Sequence, residues 1–256
     1  MTAAELAPPG LSARAKADAG LMDRVVEPLR VLVVAGIATG VVVAGVGSRL
    51  AMFLLRLTSP DRVIGVTSDD GFIIGRFTLS GTYNLLHLGA VVGVIGAGAY
   101  WLVAPWLIGP NWFRRLTVAA GSGAVVGSML VHADGIDFTL LEPTWLAIGL
   151  FVALPAVFGA VLAVTVDRVA RPGSWTSRGR IRPALPLVAV ALFPISAFPT
   201  VLVAVMLGFA SFVTDLDYTR VGPRWRMAGG LTVRAIWLAL AGAGLMGLVG
   251  DIRAIV

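Results

Sequence analysis

The chain contains no cysteine. Disulfides, thiolate nucleophiles and cysteine-ligated zinc or iron–sulfur centres are therefore excluded. Histidine is nearly as scarce, with His87 and His132 alone. Charged residues make up only 13% of the chain, about half the ~25% that clothes a soluble globule. Lysine is almost missing, with one against nineteen arginines, a ratio that points to a GC-rich bacterial genome because arginine codons are GC-rich. The enzyme signatures sought are absent too: no Ser/His/Asp triad, phosphate loop, HExxH or EF-hand can be read from the sequence. "GAGLMG" at 242–247 fits the dinucleotide-loop spacing, but it follows no strand and sits inside an apolar run, so it reads as a packing motif.

What fills the chain instead is apolar: 57% of residues are hydrophobic, and the mean hydropathy is +0.90. Such a composition belongs in a bilayer, whose hydrocarbon core of about 30 Å is crossed by about 20 apolar residues in a helix. Six apolar runs stand out, near 29–55, 84–108, 116–133, 145–167, 184–213 and 231–250. The expected fold is an all-α polytopic membrane protein: a cytoplasmic tail and amphipathic lead-in over 1–28, then a six-helix transmembrane domain over 29–256. The first run is longer than a signal-peptide core and no small-x-small cleavage site stands clearly at its end, so it reads as a retained span.

Arginines and lysines flanking short loops are held on the cytoplasmic side. With six spans, the leader (Arg14, Lys16, Arg24, Arg30), the 109–115 loop, the 168–183 loop and Arg253 share one side. The other side holds Arg56, Arg62, Arg76, Arg220, Arg224 and Arg226. Both termini are thus expected in the cytoplasm of a bacterial cytoplasmic membrane. The net charge of +6 is explained by basic loops on an anionic leaflet and calls for no nucleic acid.

The outer loops carry the polar residues. "TSDDGFIIGRFTL" holds Asp69 and Asp70, and an Asp-Gly between β-branched runs is a hairpin signal. "HADGIDFTLLEP" holds Asp134, Asp137 and Glu142, and "TDLDYT" holds Asp215 and Asp217. A small outer cap of short β-hairpin-like loops follows, although aspartates equally start turns and cap helices. Together with His87 and His132, the carboxylates Asp69, Asp70, Asp134, Asp137 and Glu142 form a candidate outward-facing cluster for a cation or for proton relay. The pattern H-x-D-x-x-D at 132–137 offers metal-ligand types without a recognised spacing. Two histidines at one depth also allow a bis-His haem between His87 and His132. Arg49, late in the first span, either pins the cap through a loop carboxylate, snorkels to the headgroups, or binds an anion.

Within the spans, Gly36 and Gly40, Gly89 and Gly93, and Gly123 and Gly127 form GxxxG pairs that let backbones approach, in a tight bundle or a homo-oligomer. Pro194 and Pro199, beside Ser196 and Thr200, interrupt the fifth run, and Pro155 interrupts the fourth. Proline removes a backbone hydrogen bond and kinks or breaks a helix. Broken helices hold substrate near the midplane in transporters, which makes Ser196 and Thr200 a second candidate site. Trp175 in the basic inner loop reads as an interfacial anchor.

Two functional readings follow. One is a small transporter or channel-like protein that binds a solute or cation at an acidic outer mouth. The other is a non-catalytic scaffold or accessory subunit that docks a protein at the outer cap or the basic inner loops. No enzyme activity is indicated, with intramembrane lipid chemistry and haem redox chemistry left open.

Overall fold

The computed structural model describes residues 9–68, 71, 73–171, 174, 184–215 and 223–255, with side chains from 24 onward except 212–230 and 233. It is a helical bundle. Helix α1 (Pro9–Thr39) passes through a wide π-helical stretch, Gly40–Val46, into α2 (Gly47–Thr58) without a break. There follow α3 (Leu79–Val103), α4 (Asn111–Leu130), the short α5 (Ile136–Leu140), α6 (Thr144–Ala170), α7 (Leu185–Leu192), α8 (Ala197–Asp215) and α9 (Pro223–Ile255).

Among the described residues, five helical stretches are long and apolar enough to cross a membrane: Arg24–Thr58, Leu79–Trp106, Thr144–Ala170, Pro194–Ser211 and Arg234–Ile255. The six expected spans are thus five by this measure. Helix α4 falls outside the set because Arg114 and Arg115 and several Gly, Ser and Thr residues dilute its 20 residues. It is nevertheless flanked along its length by α6 and α9.

The glycine pairs decide how the bundle closes. Helices α1 and α3 run antiparallel, with Gly36 against Gly93 and Gly40 against Gly89. A Cβ on Gly36 would lie 2.6 Å from the Gly93 carbonyl oxygen, nearer than any side chain tolerates, so backbone rests directly on backbone. Gly123 and Gly127 of α4 likewise face Ala156 and Val152 of α6. All three GxxxG pairs are therefore used inside the chain and are not free as faces between copies. The largest buried cluster forms beside the first crossing from Leu32, Val33, Ile37, Ala90, Val94, Leu162, Val203 and Leu207.

The fifth run does break, and its course is the main departure from the expected topology. Helix α7 stops at Leu192, a 3₁₀ turn spans Pro194–Ser196, and α8 starts at Ala197. Phe193, at the break, lies 5.1 Å from the ring of His87, part-way along α3. Further on, Val203 packs on Gly98, and Pro199, Leu202 and Met206 meet Ile95, Ala99 and Leu102. Helix α8 therefore runs parallel to α3 and leaves at the end where α3 ends. Helix α6, antiparallel to α4, ends there too, with Asp167 bonded to Arg115. Residues 171 and 215 thus lie at one end of the bundle, with α7 and α8 turning back on one another at Phe193. Pro155, by contrast, leaves α6 continuous.

Helix α9 then runs parallel to α4: Arg234 donates to the Trp106 carbonyl (3.2 Å), Gly244 lies on Ala124 and Val125, and Gly247 lies near Ser128. Its last residues, Leu248, Ile252 and Ile255, join Leu55, Val63, Val131 and Phe138. Residues 24 and 255 consequently lie at opposite ends. We call the end that holds 59–78 and 131–143 the cap end, and the other the basal end.

The cap has less β structure than expected. No strand occurs among the described residues; Thr67 and Ile73 form one isolated antiparallel bridge. The flanking hydrogen bonds, Gly65 N–H to Ile74 O (2.9 Å) and Ile74 N–H to Val66 O (2.8 Å), give a hairpin-like loop, and Gly71 takes the positive φ of 78° that its turn position suggests. A lone two-stranded ribbon has too few partners to lengthen. In the second loop "IDFTL" is helical, not extended, because the turn closed by Gly135 N–H on His132 O starts a helix that Thr139 supports through the Gly135 carbonyl. The two loops are tied together: Arg62 pairs with Glu142 at 2.7 Å, and Ser59 Oγ donates to the Glu142 carbonyl (3.2 Å) and accepts from its N–H (2.9 Å).

Candidate functional site: an apolar groove with a basic mouth

Helices α3 and α4 follow one another in the chain yet scarcely touch, because α3 packs on α1 and the π-helical stretch while α4 packs on α6 and α9. The gap between them is a cavity of about 950 Å³. Its floor is Leu150, Leu154, Phe158 and Leu162 of α6; its walls are Leu88, Val92 and Ile95 of α3 and Val118, Val125 and Val126 of α4. Small residues keep it open, for Gly121 has nothing within 4 Å of where a Cβ would stand. Leu88, Val92, Ile95 and Val126 are themselves exposed, so the groove opens sideways between the two helices. The lining runs along α3 from Asn84 to Val103. At 1.5 Å per residue this is about 28 Å, close to the ~30 Å of a hydrocarbon core.

The two ends differ. Tyr100 and Trp237 line the basal part. At the cap end the lining includes Arg49, Arg56 and Arg76 with Ser48, Ser68 and Asn84. Arg49 donates from Nε to Thr82 Oγ1 (3.2 Å) and from Nη2 to the Thr78 carbonyl (3.4 Å), and its guanidinium lies over the Phe77 ring at 5.4 Å. It thereby pins the end of the first loop to the start of α3, whose N-cap Thr78 accepts from Gly81 N–H at 3.1 Å. Pinning was among the roles expected of Arg49, and these contacts are to threonines and a ring. Arg56 pairs with Asp61 at 3.0 Å.

Only part of the expected carboxylate–histidine cluster falls among the described residues. Asp69, Asp70 and Asp217 lie outside the described residues, as do Trp175 and the side chain of Asp215. Asp134 and His132 are exposed, Glu142 is paired with Arg62, and Asp137 is buried and lines the groove. Among the described residues no three His, Asp or Glu side chains gather as a metal-ion site. His87 is buried away from the groove: its Nδ1 lies 2.9 Å from the Tyr83 carbonyl, and its ring neighbours are Tyr83 and Phe193. No described contact joins it to His132. His87 Nε2 is buried without a hydrogen-bond partner, whereas His132 is exposed, so the two histidines do not share one enclosed pocket.

Ser196 and Thr200 do sit at a helix break. Ser196 is fully buried and its Oγ donates to the Phe193 carbonyl (2.7 Å), while Thr200 Oγ1 donates to the Ser196 carbonyl (2.8 Å). Both hydroxyls are thus spent on backbone carbonyls at the break, and neither lines the groove.

Comparison with protein-family models, with characterised proteins and with solved structures finds no match. The groove itself is the guide to function. It was not legible in the sequence because its lining comes from seven separate segments, most of whose residues are ordinary apolar ones. The single clue in the sequence was the excess of Gly and Ala in the third and fourth runs.

Proposed function

We propose that the protein is a small membrane transporter or carrier whose substrate is an amphiphile taken sideways from the bilayer. The observation that supports this is the groove: apolar over most of a membrane's thickness, open laterally, and polar at its cap end. A bare cation gains nothing from such walls, whereas an acyl or isoprenoid chain exchanges lipid contacts for protein contacts while its headgroup stays at the wet end. The groove lies at the upper limit of ordinary ligand-site volumes, about 300–1,000 Å³.

The same topology bears on localisation. Among the described side chains, Arg24, Arg30, Arg114, Arg115, Arg168, Arg171 and Arg234 lie toward the basal end. Arg49, Arg56, Arg62, Arg76 and Arg253 lie with the cap, which leaves the excess of described basic residues at the basal end. By the positive-inside rule the basal end is cytoplasmic, the N-terminus is inside and the C-terminal residues are outside, in a bacterial cytoplasmic membrane.

The test is reconstitution with a fluorescent phospholipid whose exchange between leaflets is followed by chemical quenching. Wild type should speed exchange, and Gly121→Trp, which plugs the groove from a position with free space, should abolish the effect while leaving thermal stability unchanged. If the lipid moves no faster with wild type than in empty vesicles, and no lipid copurifies in the groove, the reading fails and the non-catalytic subunit takes its place.

A further inference from the structure

We propose that the groove holds one uninterrupted isoprenoid chain of about six units or more, in preference to the acyl chains of a phospholipid; this rests on the reading of the groove as an amphiphile site. Its lining follows α3 from Asn84 to Val103, about 28 Å of helix. An extended carbon chain advances roughly 1.1–1.2 Å per bond, the reach of an extended polypeptide backbone. An acyl chain of about 18 carbons therefore ends near ~20 Å, well short of the basal end. About six isoprene units, with four main-chain bonds in each, reach about 28 Å.

Width points the same way. Spread over that length, a volume of about 950 Å³ gives a mean cross-section of about 34 Å². A straight polymethylene chain with neighbours about 4 Å from its carbons fills roughly 20 Å², so the groove is wider than one such chain and narrower than two. A diacyl lipid would leave one chain outside, whereas the methyl branches of an isoprenoid take up the extra width, with open space beside Gly121 to receive one. Nothing polar interrupts the path. Between Leu88 and Ala99 on α3, and along α4 and α6, Ser122 is the one polar side chain among the described lining residues, and its hydroxyl donates to the Val118 carbonyl (2.6 Å). Tyr100 and Trp237 mark the far end, residue types that settle at the membrane–water boundary. Groove walls and lipid tails are equally apolar. The long chain's advantage is that one molecule fills a space that would otherwise order two.

The experiment uses the full chain in phosphatidylcholine nanodiscs carrying equal small amounts of linear isoprenols of three, six and nine units, followed by native mass spectrometry of what the protein retains on release. Wild type should retain the six-unit isoprenol over the three-unit one by about tenfold, and the nine-unit one no better than the six-unit one. Gly121 and Leu130 both line the groove, and the helical rise puts Gly121 about 14 Å from Leu130 toward the basal end. Gly121→Trp should therefore stop the chain half-way and bring the three- and six-unit isoprenols to within about twofold of one another, at unchanged melting temperature. Gly149→Trp, at an exposed position with nothing within 4 Å and outside the lining, should keep the wild-type preference. Retention that is independent of length, or that still climbs from six to nine units as bulk partitioning would have it, overturns the chain assignment and leaves the groove reading standing. Two phosphatidylcholine molecules retained in place of any isoprenol do the same. A preference unchanged in Gly121→Trp puts the isoprenol elsewhere on the protein and overturns the assignment as well. If neither phospholipid nor isoprenol is retained, both readings fail.

Discussion

Substituting Gly36 by alanine tests the contact on which the bundle depends. The added Cβ would stand 2.6 Å from the Gly93 carbonyl oxygen, 2.9 Å from its carbon and 3.0 Å from the Val94 Cα. Ordinary contact begins near 3.4 Å, so α1 and α3 must part locally by several tenths of an ångström. All three obstructing atoms are backbone, and no rotamer change relieves them. Overpacking of this kind costs about 1–3 kcal/mol, partly offset by the ~1 kcal/mol that alanine gains over glycine in a helix. The net loss of up to about 2 kcal/mol corresponds to a fall in melting temperature of up to roughly 8 °C for a chain of this size. The control is Gly149→Ala, where nothing lies within 4 Å, and it should melt at or above wild type. Both are read by thermal unfolding of purified protein in detergent. Should the two variants melt together, backbone contact between α1 and α3 is not what holds the bundle, and the close approach at Gly36 is refuted.

The topology is checked in a chain that already lacks cysteine. Single cysteines at Ser68 and Ala254 should react with an impermeant thiol reagent from one side of the membrane and a cysteine at Ser174 from the other; reaction of Ala254→Cys together with Ser174→Cys would restore six crossings. At the cap, Ser59→Ala removes both hydrogen bonds to the Glu142 backbone at a buried position, and should cost about 1–3 kcal/mol and speed proteolysis within 59–78. Arg62→Ala, by contrast, breaks an ion pair whose side chains are 69% and 52% exposed, and should change stability by less than about 1 kcal/mol; a larger loss would mean that the pair bears on the core.

Composition and run length were enough to place this chain in a bilayer, because the energetic penalty of apolar surface in water does not depend on how the chain folds. They were also enough to mark Gly36, Gly40, Gly89 and Gly93 as points of close approach, since only glycine lets helix backbones touch, though not to say that the pairs would be matched within one chain. The prolines at 194 and 199 announced a break in the fifth run. What hydropathy has no means of registering is direction: an apolar segment that turns back at Phe193 and one that continues across have the same composition, and contacts with His87 and Gly98 alone separate them. That reversal places α9 beside α4 and the two described ends of the chain at opposite ends of the bundle. The groove belongs to tertiary structure for the same reason. Leu88, Gly121, Leu154 and Arg76 share nothing in sequence, and they line one volume only because α3 packs on α1 and the π-helical stretch while α4 packs on α6 and α9, which leaves the two apart.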